Sequence, residues 1–174
     1  MIGKLIAIFL VVLGLLTAGS VYYLQVYYFY EEPEMSAEDV RLTPLGRDEP
    51  VAIPATKIEA IDAESSPIRF RACFRTDLTP DAARETYRPY EDAEPLNAPG
   101  WFDCFDAAAI GSALLDGRAT AFLGERNYAY GVDRIVALTE DGHGYVWHQL
   151  NNCGDVDYTG TPTTEACPPR EDVQ

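Results

Sequence analysis

The chain has 174 residues, 47% of them hydrophobic, and carries 28 acidic against 13 basic residues, a formal net charge of −15. That balance excludes nucleic acid as a partner. Binding phosphate takes clustered Lys and Arg, whereas Lys57 is the only lysine beyond the first thirty residues and the arginines are scattered. It also argues against a domain laid flat on an anionic bilayer, since like charges repel.

The run from Leu5 to Leu24 contains no charge. At about 1.5 Å per helical residue it matches a hydrocarbon core of roughly 30 Å and reads as one membrane-spanning helix. Lys4 precedes it and Glu31, Glu32 and Glu34 follow. The positive-inside tendency then leaves the N-terminus in the cytoplasm and the rest outside, which places the protein in an inner membrane with a periplasmic domain. The competing reading is a cleaved secretory signal, with Ala18 and Ser20 as the small residues of the cleavage site. Against it, cleavage would leave the tyrosine-rich VYYLQVYYFY as a mature terminus. As an anchor, the same segment sets Tyr22, Tyr23, Tyr27, Tyr28 and Tyr30 at the headgroup level, where an amphipathic ring is favoured. No cysteine lies near enough for a lipoprotein anchor. Residues 31–39, acidic and interrupted by Pro33, read as a linker to a domain over residues 40–170 that stands off the bilayer.

Within that domain Val40 to Thr43 predicts a short strand, and PVAIPATKIEAIDA an edge segment, because Pro50 and Pro54 bar a central position. Ile68 to Phe74 alternates with period two, setting Ile68, Phe70 and Ala72 on one face and Arg69, Arg71 and Cys73 on the other. Thr79, Pro80 and Asp81 start a short helix, and Asp106 caps a second that ends at Gly117. Ala119 to Leu123 predicts a strand; VDRIVALT and GYVWHQL, joined by EDGH, predict a hairpin. Strands and two helices without regular alternation point to α+β with an antiparallel sheet.

Four cysteines in an extracytoplasmic chain favour two disulfides, of three possible pairings. Cys73 with Cys104 and Cys153 with Cys167 is the favoured set, the second closing a loop with little apolar content of its own. Free thiols or a zinc site are the alternative, but no two cysteines have the C-x-x-C spacing.

RACF, APGWFDCF, GVDRIVAL and WHQLNNCG, in this order behind a tyrosine-rich anchor, resemble an alphaproteobacterial family of short membrane-anchored proteins classed as a domain of unknown function. The resemblance implies no activity, cofactor or catalytic residue. Some members carry the label histidine kinase, which His143 and His148 do not support: neither sits in a long dimerisation helix and no ATP-binding segment follows.

Candidate chemistry is sparse. His143 in the hairpin turn and His148 beside Trp147 make a poor metal pair. Asp155, Asp157, Thr159 and Gly160 reproduce the start of a calcium loop, but its twelfth position is Ala166 and no helices flank it. Asp103 and Asp106 near Trp101 could form an acid pair, although a helix cap explains Asp106. Arg69, Arg71 and Arg75 could bind a carboxylate ligand, with pairing to the domain's own acids the expected alternative. Ser112 lacks the G-x-S-x-G frame and no G-x-x-x-x-G-K loop occurs, so neither a nucleophile nor a cofactor is expected. The sequence therefore favours a non-enzymatic interaction or accessory module for another membrane or periplasmic protein. A periplasmic small-ligand-binding domain or hydrolase, using Arg69, Arg71, Asp103 and His148, is the alternative.

Overall fold

Among the described residues, 2–169 of the computed structural model, one helix is long and apolar enough to cross a membrane. The expected domain end at residue 170 lies just outside them. Helix α1, Ile2–Tyr23, has no buried residue and runs on as a π-helical turn, Leu24–Tyr28. Its 27 residues amount to about 40 Å, so roughly two turns extend past a 30 Å hydrocarbon core. Those surplus turns carry Tyr22, Tyr23, Tyr27 and Tyr28.

The domain is α+β. Short strands β1 (Arg41–Leu42) and β2 (Val51–Ala52) pair antiparallel, and β3 (Thr56–Ile61), β4 (Arg71–Arg75), β5 (Ala119–Ala129), β6 (Val132–Thr139) and β7 (His143–Leu150) form an antiparallel sheet in the order β3-β4-β7-β6-β5. Helix α2, Pro80–Arg84, is capped by Thr79, whose side chain accepts from the Ala82 amide. Helix α3, Ala107–Leu115, is capped by Asp106 in the same way. It closes in a Schellman motif: the Gly117 amide donates to Leu114, the Arg118 amide to Ala113, and Gly117 takes φ 72°.

Alternation along the strands fills both faces of the sheet. Ala72, Phe74, Val136, Leu138 and Val146 join Val40, Leu42, Ile53 and Ala83 on the β1, β2 and α2 side. Cys73, Ile135, Ala137 and Trp147 join Phe102, Phe105 and Ile110 on the α3 side. The expected period-two alternation is present, with Phe70, Ala72 and Phe74 on one side and Arg71 and Cys73 on the other. Its expected arginine face is a second buried face, and Arg71 is only 4% exposed. The strand itself starts at Arg71, with Arg69 in the preceding turn.

Two further expectations are revised. Strand β5 runs on to Ala129 instead of stopping at Leu123, because Gly124 serves close approach. A Cβ there would meet the Arg134 carbonyl at 2.9 Å and the Arg41 carbonyl at 3.3 Å. The β6–β7 connection ends at Gly142, φ 79°, which leaves His143 as the first residue of β7 opposite Arg75.

Both favoured disulfides are present, Cys73–Cys104 and Cys153–Cys167, and no free cysteine occurs among the described residues. The first fastens β4 to the loop that precedes α3. The second closes the loop beyond β7.

Candidate functional site: the helix–domain junction

A π-turn displaces the hydrogen bonds of an α-helix, and here it leaves the Val26 carbonyl turned toward the domain. The indole Nε1 of Trp101 donates to it at 2.7 Å. Trp101 also stacks with Tyr27, ring centroids 6.3 Å apart, and meets Tyr30 edge-on at 5.9 Å. Tyr27 in turn carries Tyr23, stacked at 6.0 Å, and Tyr22, edge-on at 6.2 Å. Tyr28 stays exposed against Phe29. Tyr22, Tyr23, Tyr27 and Tyr30 thus form one aromatic collar with Trp101 at its centre.

Trp101 is held by its neighbours. The Phe102 amide donates to Pro99, Phe102 is buried, and Cys104, three residues past Trp101, is tied to β4. On the other flank the Arg69 guanidinium lies over the Tyr30 ring, 5.5 Å from its centroid. Glu31 and Asp62 then exchange both backbone hydrogen bonds at 2.9 Å. Residues 31–39, read above as a linker, carry further order: Ser36 and Asp39 close a capping box on a 3₁₀ turn, Ala37–Asp39, and Met35 packs on the core.

The other residues singled out in the sequence lie elsewhere and are engaged. Arg71 does not pair with carboxylates; its guanidinium donates to four backbone carbonyls, Nε to Leu96 at 2.7 Å, Nη1 to Ile68 and Phe70 at 2.8 and 2.6 Å, and Nη2 to Asn97 at 3.2 Å. Burial lowers its pKa to about 10, so it stays charged at neutral pH. In this role it organises the proline-rich loop that leads to Trp101. Arg75 donates to the Asp141 carbonyl at 3.3 Å and meets His143 Nδ1 at 3.2 Å.

His148 is 1% exposed, lies between Phe70 and Tyr128 at 4.7 and 4.3 Å, and has both nitrogens occupied. Nδ1 lies 2.7 Å from the Pro67 carbonyl, which can only accept, so Nδ1 carries the proton and Nε2 accepts from Arg134 Nε at 2.9 Å. Burial, and then the Arg134 charge, pushes its pKa down to about 3. A neutral imidazole with a committed lone pair is poorly placed to shuttle protons or bind metal.

Asp106 spends Oδ1 on the Ala109 amide at 3.0 Å, while Asp103 is exposed on the outer side of the collar loop. The Asp157 carboxylate accepts from the Thr159 amide and hydroxyl and from the Thr161 amide, an Asx turn within the 153–167 loop. The described residues contain no group of three or more His, Cys, Asp or Glu arranged to hold a metal ion.

Sequence reasoning missed two features. Asp133, fully buried, accepts from Arg126 at 2.8 Å, the Asn127 amide at 2.9 Å and Asn151 at 2.6 Å, which fixes the left-handed Asn127 at the end of β5. An isolated acid in an apolar strand was its only signal. Trp101 was the other, legible only as an indole donor on a loop fixed by proline and cysteine. A cavity of about 800 Å³ beside Tyr90 and Asn151 is open and polar, and its arginines are already paired, Arg88 with Asp48 and Arg126 with Asp133.

The fold defines the class: an α+β domain, clipped by two disulfides, behind a single candidate membrane helix. A family of unknown function (DUF6446) matches residues 40–168, and the chain belongs to it. The match begins at Val40, the first buried core residue, and ends just past Cys167. Neither a search of curated proteins nor one of solved structures finds a match.

Proposed function

We propose that the protein is a non-enzymatic interaction module, anchored in the inner membrane with its N-terminus cytoplasmic and its domain periplasmic, that serves another membrane or periplasmic protein. The observation that carries this reading is the hydrogen bond from Trp101 to Val26 within the tyrosine collar. It fastens the domain to the end of the helix, so the domain is held at a set height and orientation at the headgroup level. A soluble enzyme has no use for such a joint, whereas a module that must meet a membrane-bound partner gains by losing less orientational freedom on binding. The engagement of four of the five Arg71 N–H groups, and of both His148 ring nitrogens, supports it too, since the alternative, a small-ligand site or hydrolase, would draw on those groups.

A photoreactive amino acid placed at Tyr28, which is exposed beside the collar, tests the reading in native membranes. Recovery of one recurring membrane complex is expected. Diffuse labelling of lipid alone, or release of the domain from the membrane as a mature protein that begins near Val21, would refute it.

A further inference from the structure

Strand β3 is an edge of the five-stranded sheet, and among the described residues its outer side is covered at a single rung, at Asp62 just past its end. The Glu31 amide donates to the Asp62 carbonyl and the Asp62 amide to the Glu31 carbonyl. Backbone groups alternate in direction along a strand, so the amide and carbonyl of Ala60 point to the same outer side as those of Asp62. Continuing the antiparallel register from Glu31 opposite Asp62 would set Pro33 opposite Ala60. Proline has no N–H to give. The chain's own ladder stops there, and among the described residues no further backbone partner meets this edge.

Where residues 32–34 turn away, a cavity of about 490 Å³ opens between them, β3 and the collar loop. Its floor is apolar, from Ile58, Ala60, Trp101 and Phe102, and its rim carries Glu32, Glu34, Glu59 and Asp103, all exposed. Lys57, at φ 50°, and the register shift between Thr56 and Glu59 end the straight edge beyond Ile58. The groove is therefore short, open to backbone pairing, apolar at its base and acidic at its lip.

We propose that this groove binds an extended basic segment of a partner membrane protein, which adds as a strand along β3 at Ala60. Main-chain hydrogen bonds to an open edge supply affinity, and alternate side chains supply selectivity: one set meets the apolar floor, the other, as Lys or Arg, meets the carboxylates. The position favours a juxtamembrane segment, because Trp101 forms both the groove floor and the contact with the helix end. Membrane-proximal segments rich in Lys and Arg offer the matching charge. The inference rests on the interaction-module reading and specifies its surface.

The full-length protein in phosphatidylcholine nanodiscs, which carry no net charge to attract the probe, is titrated with a fluorescent hexapeptide alternating arginine and valine. Saturable binding is expected. A peptide N-methylated on alternate residues, which keeps its charge but loses edge-facing donors, should bind about tenfold more weakly, and so should the wild-type peptide to Glu59→Lys or Asp103→Lys. Asp81→Lys, an exposed change on α2, should leave binding unaltered. Equal binding of the N-methylated peptide would reduce the effect to charge adhesion and overturn the proposal. So would indifference to Glu59→Lys and Asp103→Lys, or no binding by protein whose thermal melt is intact. If Tyr28 crosslinking recovers a membrane complex that Glu59→Lys does not disturb, the module reading stands and the groove assignment falls.

Discussion

Replacing Arg71 by methionine keeps an unbranched stem in the same space and removes the guanidinium. Four carbonyls then lose their donor: Ile68, Phe70, Leu96 and Asn97. Arg71 is 4% exposed, so those groups around the buried head lack ready access to water. Hydrogen bonds from a charged donor contribute about 1.5 to 3 kcal/mol each, but the buried charge carries a desolvation cost that the deletion also removes. Each buried carbonyl left unpaired costs about 1 to 3 kcal/mol, and the desolvation cost removed with the charge offsets part of that sum, for a net loss of about 3 to 5 kcal/mol out of a typical total of about 5 to 15 kcal/mol. At about 4 °C per kcal/mol for a domain of this size, the midpoint should fall by roughly 12 to 20 °C. Near-ultraviolet circular dichroism of the detergent-solubilised full chain follows the tryptophans through that transition. Hydrogen exchange adds a local readout, since the loop through Leu96 and Asn97 should lose protection before the sheet does. A loss under about 1 kcal/mol, with the loop still protected, would refute the claim that the guanidinium holds it.

His148 gives a pH signature. Its pKa is about 3 when folded against 6.5 when free, so the unfolded chain binds more protons in between, and the stability this residue contributes is complete above about pH 6.5 and declines toward pH 3. Urea melts between pH 7 and 4.5 should show this fall, and His148→Gln should flatten it. Asp141, held down at about 2 chiefly by the Thr139 hydroxyl, loses its share only below its ordinary 3.8 and stays out of that window. Gly144→Ala should destabilise by more than about 1 to 3 kcal/mol, because the new Cβ would fall 2.1 Å from the Phe74 ring; an unchanged melt would contradict that packing. Loss of the Cys153–Cys167 link through a Cys153→Ser, Cys167→Ser pair should cost about 3 kcal/mol on the chain-entropy estimate, with fraying confined to the loop beyond β7 by hydrogen exchange.

Features that depend on local chemistry and one-dimensional pattern were legible before folding. The uncharged run gives a single helix, Thr79 and Asp106 cap the helices they precede, and VDRIVALT with GYVWHQL makes a hairpin, because capping, turn formation and alternation act within a few residues. The disulfide pairing was legible as a preference, since a core-poor loop between Cys153 and Cys167 needs closing.

Other features depend on contacts between segments distant in the chain. Period two tells which residues share a face but not whether both faces are covered, so only the folded chain shows that α3 and Phe105 bury the arginine side of β4. Gly124 resembles a strand breaker until Arg41 and Arg134 are seen to approach it. The collar itself was half legible: tyrosines at a helix exit announce an interface, but the hydrogen bond from Trp101 to Val26 joins residues 75 apart in the chain. Only folding the sheet, and tying Cys104 to it, brings that indole to the end of the helix.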